Sequence, residues 1–255
     1  MPYRRLPNTD AARIRAINKA LEMSEKSTPD QMPFDGAFRR RMELFVAEFD
    51  KNTRHSADAR NRQNMNSRKF NELTHKARLY VSHFIQVLNF CIARGEMKPQ
   101  VREYYGLDID DSKVPPLQSD ADLLYWGEKV INGEQERINH GGNRIYNPTI
   151  ALVKVNYENY KQAYTFQKGL QGNATRLSGE VASFRQEADE IILELWNSIE
   201  AYYAEREEDE ERRRALCEAY GIAYVFRRGE LKRIADMKEA KRITLELPFS
   251  PEGEG

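Results

Sequence analysis

The feature that most restricts the fold of this chain is the apolar spacing between Leu177 and Tyr202. Leu177, Val181, Phe184, Ala188, Ile191, Leu195, Ile199 and Tyr202 follow one another by steps of 4, 3, 4, 3, 4, 4 and 3. An α-helix gathers such a series onto one face, and a repeat near 3.5 residues is that of a helix packed along a partner helix. The expected fold class is therefore mainly α. Glycine (14) and proline (10) are scarce among the 255 residues and fall where helices are expected to stop.

Pro7-Asn-Thr-Asp10 offers acceptors to the free N–H groups of a first helix, whose stripe Ile14, Ile17, Leu21 runs to about Met23. Lys26 to Pro33 reads as a loop. A second helix starts near Gly36 on the stripe Phe38, Met42, Phe45, Phe49, and a third spans about Ser67 to Ala93 on Phe70, Leu73, Ala77, Tyr80, Phe84, Val87 and Cys91. Almost nothing between Asp50 and Lys69 is apolar, which predicts a polar hairpin tip. A short helix is expected to end at Tyr105-Gly106.

Residues 107–118, rich in Asp and Pro, read as a linker. Ser119-Asp-Ala-Asp122 has capping-box spacing for a helix to about Asn139, and Gly141-Gly142 ends it. Asn147-Pro148 reads as the next start, with the stripe Val153, Tyr157, Tyr160, Tyr164 and a break at Gly169, Gly172 or Gly179. Beyond Tyr220-Gly221, Ile222–Phe226 and Ile243–Leu247 have strand composition and are expected to pair, with a short helix around Leu231, Ile234 and Ala235 between them.

Sliding the chain by 111 positions sets Met42 on Val153, Phe49 on Tyr160, Ala77 on Ala188 and Phe84 on Leu195, while Tyr105-Gly106 meets Tyr220-Gly221 at 115. The expected organisation is thus two pseudo-repeated antiparallel helical bundle units, 1–106 and 119–221, joined by the 107–118 linker. A small C-terminal two-stranded β element follows over 222–247, with a disordered tail over 248–255. Residues 1–118 hold 21 basic and 15 acidic side chains, residues 119–255 hold 19 and 25.

Lys+Arg and Asp+Glu balance at 40 each, which argues against a dedicated polyanion binder. No apolar run is long enough to span a membrane, and Met1-Pro-Tyr-Arg-Arg-Leu-Pro7 lacks the apolar core of a secretory signal. Two cysteines cannot build a disulfide framework, so a cytoplasmic location is expected.

Familiar chemistry is thinly represented. Glu72-Leu-Thr-His75 is the chain's one Glu-x-x-His, and the repeat sets Ser183 and Gln186 opposite its two ligands. His75 and His83 stand about 12 Å apart along a helix, too far to share an ion. No Gly-x-Ser-x-Gly elbow and no Walker A or Gly-x-Gly-x-x-Gly loop occurs. No catalytic residue, cofactor or metal ligand is assigned. Gly36 to Arg78 holds 11 basic against five acidic residues, so Arg54, Arg60, Arg62, Arg68 and Lys69 are the candidate phosphate or nucleic-acid contacts. Tyr157, Tyr160 and Tyr164 share one helix face and form a candidate partner surface or a core edge.

The opening Met1-Pro-Tyr-Arg-Arg-Leu-Pro-Asn-Thr-Asp-Ala-Ala-Arg13, the segment His83 to Glu96 and the segment Tyr220 to Glu230 resemble a group of uncharacterised bacterial helical proteins. The resemblance implies a bacterial cytoplasmic helical protein and carries over no site residue. The expected function is a non-catalytic interaction or scaffold protein with a protein partner or self-association. The first alternative is a nucleic-acid-associated protein using the basic hairpin around 54–69. The second is a metalloenzyme using Glu72 and His75.

Overall fold

In a computed structural model, which describes residues 3–227, 229–230 and 232–233, the chain is mainly helical with a small two-stranded antiparallel sheet. The elements are β1 (Tyr3–Arg4), α1 (Asp10–Glu25), a 3-10 turn (Pro29–Gln31), α2 (Gly36–Ala93), a 3-10 helix (Pro99–Tyr105), α3 (Asp120–Asn139), α4 (Ile150–Ala204), α5 (Glu210–Ala219) and β2 (Tyr224–Val225).

The caps follow local chemistry. Thr9 Oγ1 accepts from Ala12 N at 3.2 Å, and Ser119 and Asp122 form a reciprocal capping box. Asp209 accepts from Glu211 and Arg212 N. Gly106 at φ +66 closes the 3-10 helix in the left-handed region.

Two expected breaks are absent. α2 runs unbroken for 58 residues, so the basic stretch 54–69 is the middle of a helix and not a hairpin tip. It contains no Gly or Pro, and its polar side chains bond within the helix: Arg54 pairs with Asp50 at 2.7 Å, and Ser67 Oγ donates to Gln63 O. α4 likewise runs for 55 residues through Gly169, Gly172 and Gly179. Each of these glycines costs a helix about 1 kcal/mol relative to Ala, too little to end one packed on both sides of it. α4 starts two residues later than expected: Asn147–Pro148 is a cis peptide, and Leu152 N is bonded to Thr149 O at 3.0 Å.

The chain divides into two compact units, and the division does not follow the expected boundaries. One unit comprises 1–55 and 179–255, the other 56–178. The first unit's core joins Ile17 and Ala20 of α1, Met42 and Phe49 of α2, and Ile191, Leu195 and Trp196 of α4, closed by Cys217, Tyr220 and Ile222. Here α2 and α4 meet through Phe49 stacked on Phe184 at 5.9 Å and an Arg41–Glu194 ion pair at 3.1 Å. The second unit's core joins Val81, Phe84, Ile85 and Leu88 of α2, Tyr105, Leu123 and Val130 of α3, and Val153, Tyr157 and Tyr160 of α4.

Residues 107–118 belong to the second unit and are strapped down. Leu107 and Leu117 are buried, Arg102 donates to the carbonyls of Asp108 and Asp111, and Arg78 holds Leu117 O at 2.7 Å and Gln118 O at 2.9 Å. The guanidiniums satisfy carbonyls that a free linker would leave to water.

The small sheet also departs from expectation. β2 pairs antiparallel with β1, Tyr3 opposite Val225 and Arg4 opposite Tyr224, so its partner strand comes from the N-terminus. The expected strand 243–247, the short helix at Leu231, Ile234 and Ala235, and the tail 248–255 lie outside the described residues.

Candidate functional site

The basic candidates are divided between the two units. Arg54, paired with Asp50, belongs to the first unit, while Arg60, Arg62, Arg68 and Lys69 are exposed on the second unit's part of α2. Arg68 lies 3.6 Å from Glu72. The fold adds what the sequence hid: Lys161, Lys168 and Arg176 of α4 are exposed in the same unit. The stretches 56–76 and 158–178 together carry eight basic against three acidic residues.

The seam between these stretches is polar and tightly bonded. Asn66 Nδ2 donates to Gln167 Oε1 at 2.8 Å, and Gln167 Nε2 donates to Ser67 Oγ at 3.1 Å. Gln167 is 3% exposed, and Ala59 and Ala174 are buried along the same helices. Small and amide side chains at core positions trade hydrophobic burial for a fixed register.

Beside the seam lies a cavity of about 380 Å³ lined by Lys69, Phe70 and Leu73 of α2 and by Gln162, Ala163 and Phe166 of α4. An aromatic ring, Phe166, is thus set close to the basic row, though 97 positions separate it from Lys69 in sequence.

Tyr157 and Tyr160 are core residues and not an exposed partner surface. The Tyr157 hydroxyl donates to Leu124 O at 2.9 Å, and the Tyr160 hydroxyl donates to Asp120 Oδ1 at 3.1 Å, so both clamp α3. Burial, with Glu128 and Glu158 nearby, pushes the Tyr157 hydroxyl up to about 12. Burial also raises Tyr160. Gly127 makes the Tyr157 packing feasible, because a Cβ there would lie 2.3 Å from the ring. Tyr164 is half-buried against Phe70, with Lys168 Nζ 5.4 Å from its ring centroid.

Glu72 is exposed and faces Arg68, and His75 is exposed. Among the described residues no group of three or more His, Cys, Asp or Glu is placed to hold a metal ion. The Gly141-Gly142 turn spends its N–H groups on Ile138 O and Arg137 O, as a helix end does.

A buried cluster that sequence reasoning missed joins Tyr105, Glu134 and Arg137 in the second unit. Arg137 donates from Nε and Nη2 to the two Glu134 oxygens at 2.8 and 2.9 Å, and the Tyr105 hydroxyl donates to Glu134 Oε2 at 2.5 Å. Arg137 Nη2 also holds Asn143 O at 2.6 Å. Burial followed by the Glu134 carboxylate raises Tyr105, and Glu134 raises Arg137 against the opposing effect of burial. Every oxygen and most donors are engaged, so the cluster pins α3 to the 3-10 helix and the following loop. The i, i+3 spacing of Glu134 and Arg137 was its one signal, and such pairs usually lie on a surface.

No family model, curated protein or solved structure matches this chain.

The remaining reactive groups are the cysteines, both free and buried. Burial raises both thiols. Cys217 borders a cavity of about 320 Å³ in the first unit, where the Tyr224 hydroxyl donates to Glu200 Oε1 at 2.6 Å and Arg4 pairs with Glu200 at 3.2 Å. Among the described residues, no helix is long and apolar enough to cross a membrane.

Proposed function

We propose that this chain is a cytoplasmic, non-catalytic helical interaction protein that receives a helical protein partner on the outer face of α4 between Leu152 and Phe166. The observation that carries this reading is a second seam. Leu152, Val155, Asn159, Gln162 and Phe166 step by 3, 4, 3 and 4 and are all exposed, Leu152 at 49%, Val155 at 57% and Phe166 at 60%. The face of α4 turned to its own unit uses a different series, Val153, Tyr157, Tyr160 and Gln167. A heptad row left open beside a cavity is what a knob-into-hole partner requires. The two free, buried cysteines fit a reducing compartment. The test is recovery of tagged protein from its native lysate after nuclease treatment. A stoichiometric protein partner lost on Val155→Glu and Phe166→Glu supports the reading, and a partner retained by both variants overturns the site.

A second reading, nucleic-acid association, is favoured by the excess of eight basic over three acidic residues on 56–76 and 158–178, with Phe166 among them. Here Arg62, Lys69 and Lys168 make phosphate contacts. Anisotropy of a labelled single-stranded oligonucleotide should then fall steeply with salt and be lost when these three are changed to Glu. Equal affinity of that variant discards the reading.

We also infer that the chain descends from two copies of one α-α-turn unit. Burial supports the 111-residue offset: Met42 and Val153, Phe49 and Tyr160, Ala77 and Ala188, Val81 and Ile192, Phe84 and Leu195, and Leu88 and Ile199 are buried in both members. Tyr105 and Tyr220 are both buried at the offset of 115. On this reading each compact unit combines the first half of one copy's long helix with the second half of the other's.

A further inference from the structure

The first unit holds a cavity of about 410 Å³ whose lining joins Arg5, Arg15 and Lys19 to Ala16, Ile222 and Trp196. We propose that it is a binding site for a small organic anion, a carboxylate or phosphate carried on an apolar body. This site is independent of the face proposed on α4.

Charge is the first observation. The other arginines around α1 are already neutralised: Arg4 by Glu200 at 3.2 Å, Arg13 by Asp189 at 2.8 Å and Arg185 by Asp10 at 2.7 Å. Arg5 and Arg15 have no ion pair among the described residues, and both are exposed. Lys19 donates to Glu218 O at 2.7 Å and keeps two further N–H donors. Among the described residues no carboxylate lines the cavity. Three cations thus border one concave surface with no counter-charge among the described lining residues, and a guanidinium meets a carboxylate or phosphate through two parallel hydrogen bonds.

The floor is the second observation. It is apolar, with alanines and Gly221 set beside Ile222 and Trp196, so it offers a surface to a hydrocarbon or ring. Gly221 has φ +97, and a Cβ there would lie 3.0 Å from Ala16 O, so the backbone approaches α1 where a larger residue is strained.

Trp196 is the third. Its side chain is fully buried and borders the cavity, yet its indole Nε1 has no hydrogen-bond partner among the described residues. A buried indole N–H without an acceptor is unusual in a folded protein. A ligand oxygen is an acceptor of the right kind.

The experiment uses the full chain with Trp126→Phe, which leaves Trp196 as the reporter of the two tryptophans. Phenyl phosphate and phenylacetate supply body and charge together. Inorganic phosphate supplies charge alone, and benzyl alcohol supplies body alone. The expected result is saturable one-to-one binding of phenyl phosphate, phenylacetate or both by calorimetry, with a change in Trp196 fluorescence. That affinity should exceed those of inorganic phosphate and benzyl alcohol by about ten-fold or more, the equivalent of one charge-assisted hydrogen bond. Whichever of the two binds tighter identifies the anion as phosphate or carboxylate. Arg5→Gln with Arg15→Gln, both exposed and unpaired, should leave the thermal midpoint unchanged and weaken binding by about ten-fold. Absence of saturable binding by either aromatic anion overturns the proposal. So does undiminished affinity in the double variant, or inorganic phosphate binding as tightly as phenyl phosphate.

Discussion

Gln167 and Asn66 share a hydrogen bond of 2.8 Å inside the seam of the second unit, and Gln167 passes its own amide N–H on to Ser67 at 3.1 Å. Gln167 is buried at a position that an ordinary helical seam fills with Leu, and half-buried Asn66 and Ser67 satisfy it. This chain of amides favours one register of α2 against α4, because a slip by one helical turn breaks both hydrogen bonds.

Gln167→Leu should therefore destabilise the protein by about 1–3 kcal/mol, the cost of stranding Asn66 and Ser67. Adding Asn66→Leu and Ser67→Ala should recover much of that loss, since all three polar groups then leave together. Urea unfolding of the single and triple variants measures both.

Glu134→Gln should cost about 3–5 kcal/mol, because Arg137 is 4% exposed and would keep its charge without a counter-ion. Glu134→Met with Arg137→Met should cost far less. Equal losses in the two variants would show that the ion pair itself, and not the stranded charge, supplies the stability.

The glycines of the helices should answer in opposite directions. Gly169, Gly172 and Gly179 have open space where a Cβ would stand, so Ala at each should add about 0.5–1 kcal/mol. Gly127→Ala should remove about 1–3 kcal/mol by driving a methyl into the Tyr157 ring. Thermal midpoints of the four variants decide it.

Alkaline pH should unfold the protein through its tyrosines. Tyr105, Tyr157, Tyr160, Tyr203 and Tyr224 are all raised, chiefly by burial. Their neutral forms are favoured in the folded state, so their contribution is complete below about pH 10, the unfolded value. It is lost as pH rises toward the folded values, about 12 for Tyr157. Thermal midpoints should fall steadily above pH 10, and phenolate absorbance should show a slow-titrating class that disappears in denaturant.

Arg102→Met should release residues 107–118. Arg102 binds the carbonyls of Asp108 and Asp111 together with the Asn89 side chain, and burial holds its own pKa down. Trypsin should then cut after Lys113 well before it attacks the helices, whereas the native chain should resist at that site.

The helical stripes were legible because each carries its own period: Phe38 to Phe49 and Leu177 to Tyr202 name their faces without outside help. The continuity of α2 was not, because a polar stretch such as Asp50–Lys69 looks unburied until Gln167 and Ala174 are set beside it. Tyr157 and Tyr160 read equally as surface or core, since a buried hydroxyl needs one acceptor and the acceptors, Leu124 O and Asp120, lie 33 and 40 positions away. Pairing of Tyr3 with Val225 joins segments 222 positions apart, which no local pattern encodes. Of the candidate site, the basic row on α2 could be read directly, but Phe166 and the cations of α4 enter it only through the fold.

The division at positions 55 and 178 sets an order of assembly. Residues 56–178 are one uninterrupted stretch, so all of the second unit is translated before the latter half of α4, α5 and β2. α1 and the start of α2 emerge first and are completed last. Ile17, Met42 and Phe49 must wait, unburied, for Leu195 and Trp196. Residues 1–55 therefore lack their core partners until the latter half of α4 has been translated, the stage at which exposed apolar surface is prone to aggregate.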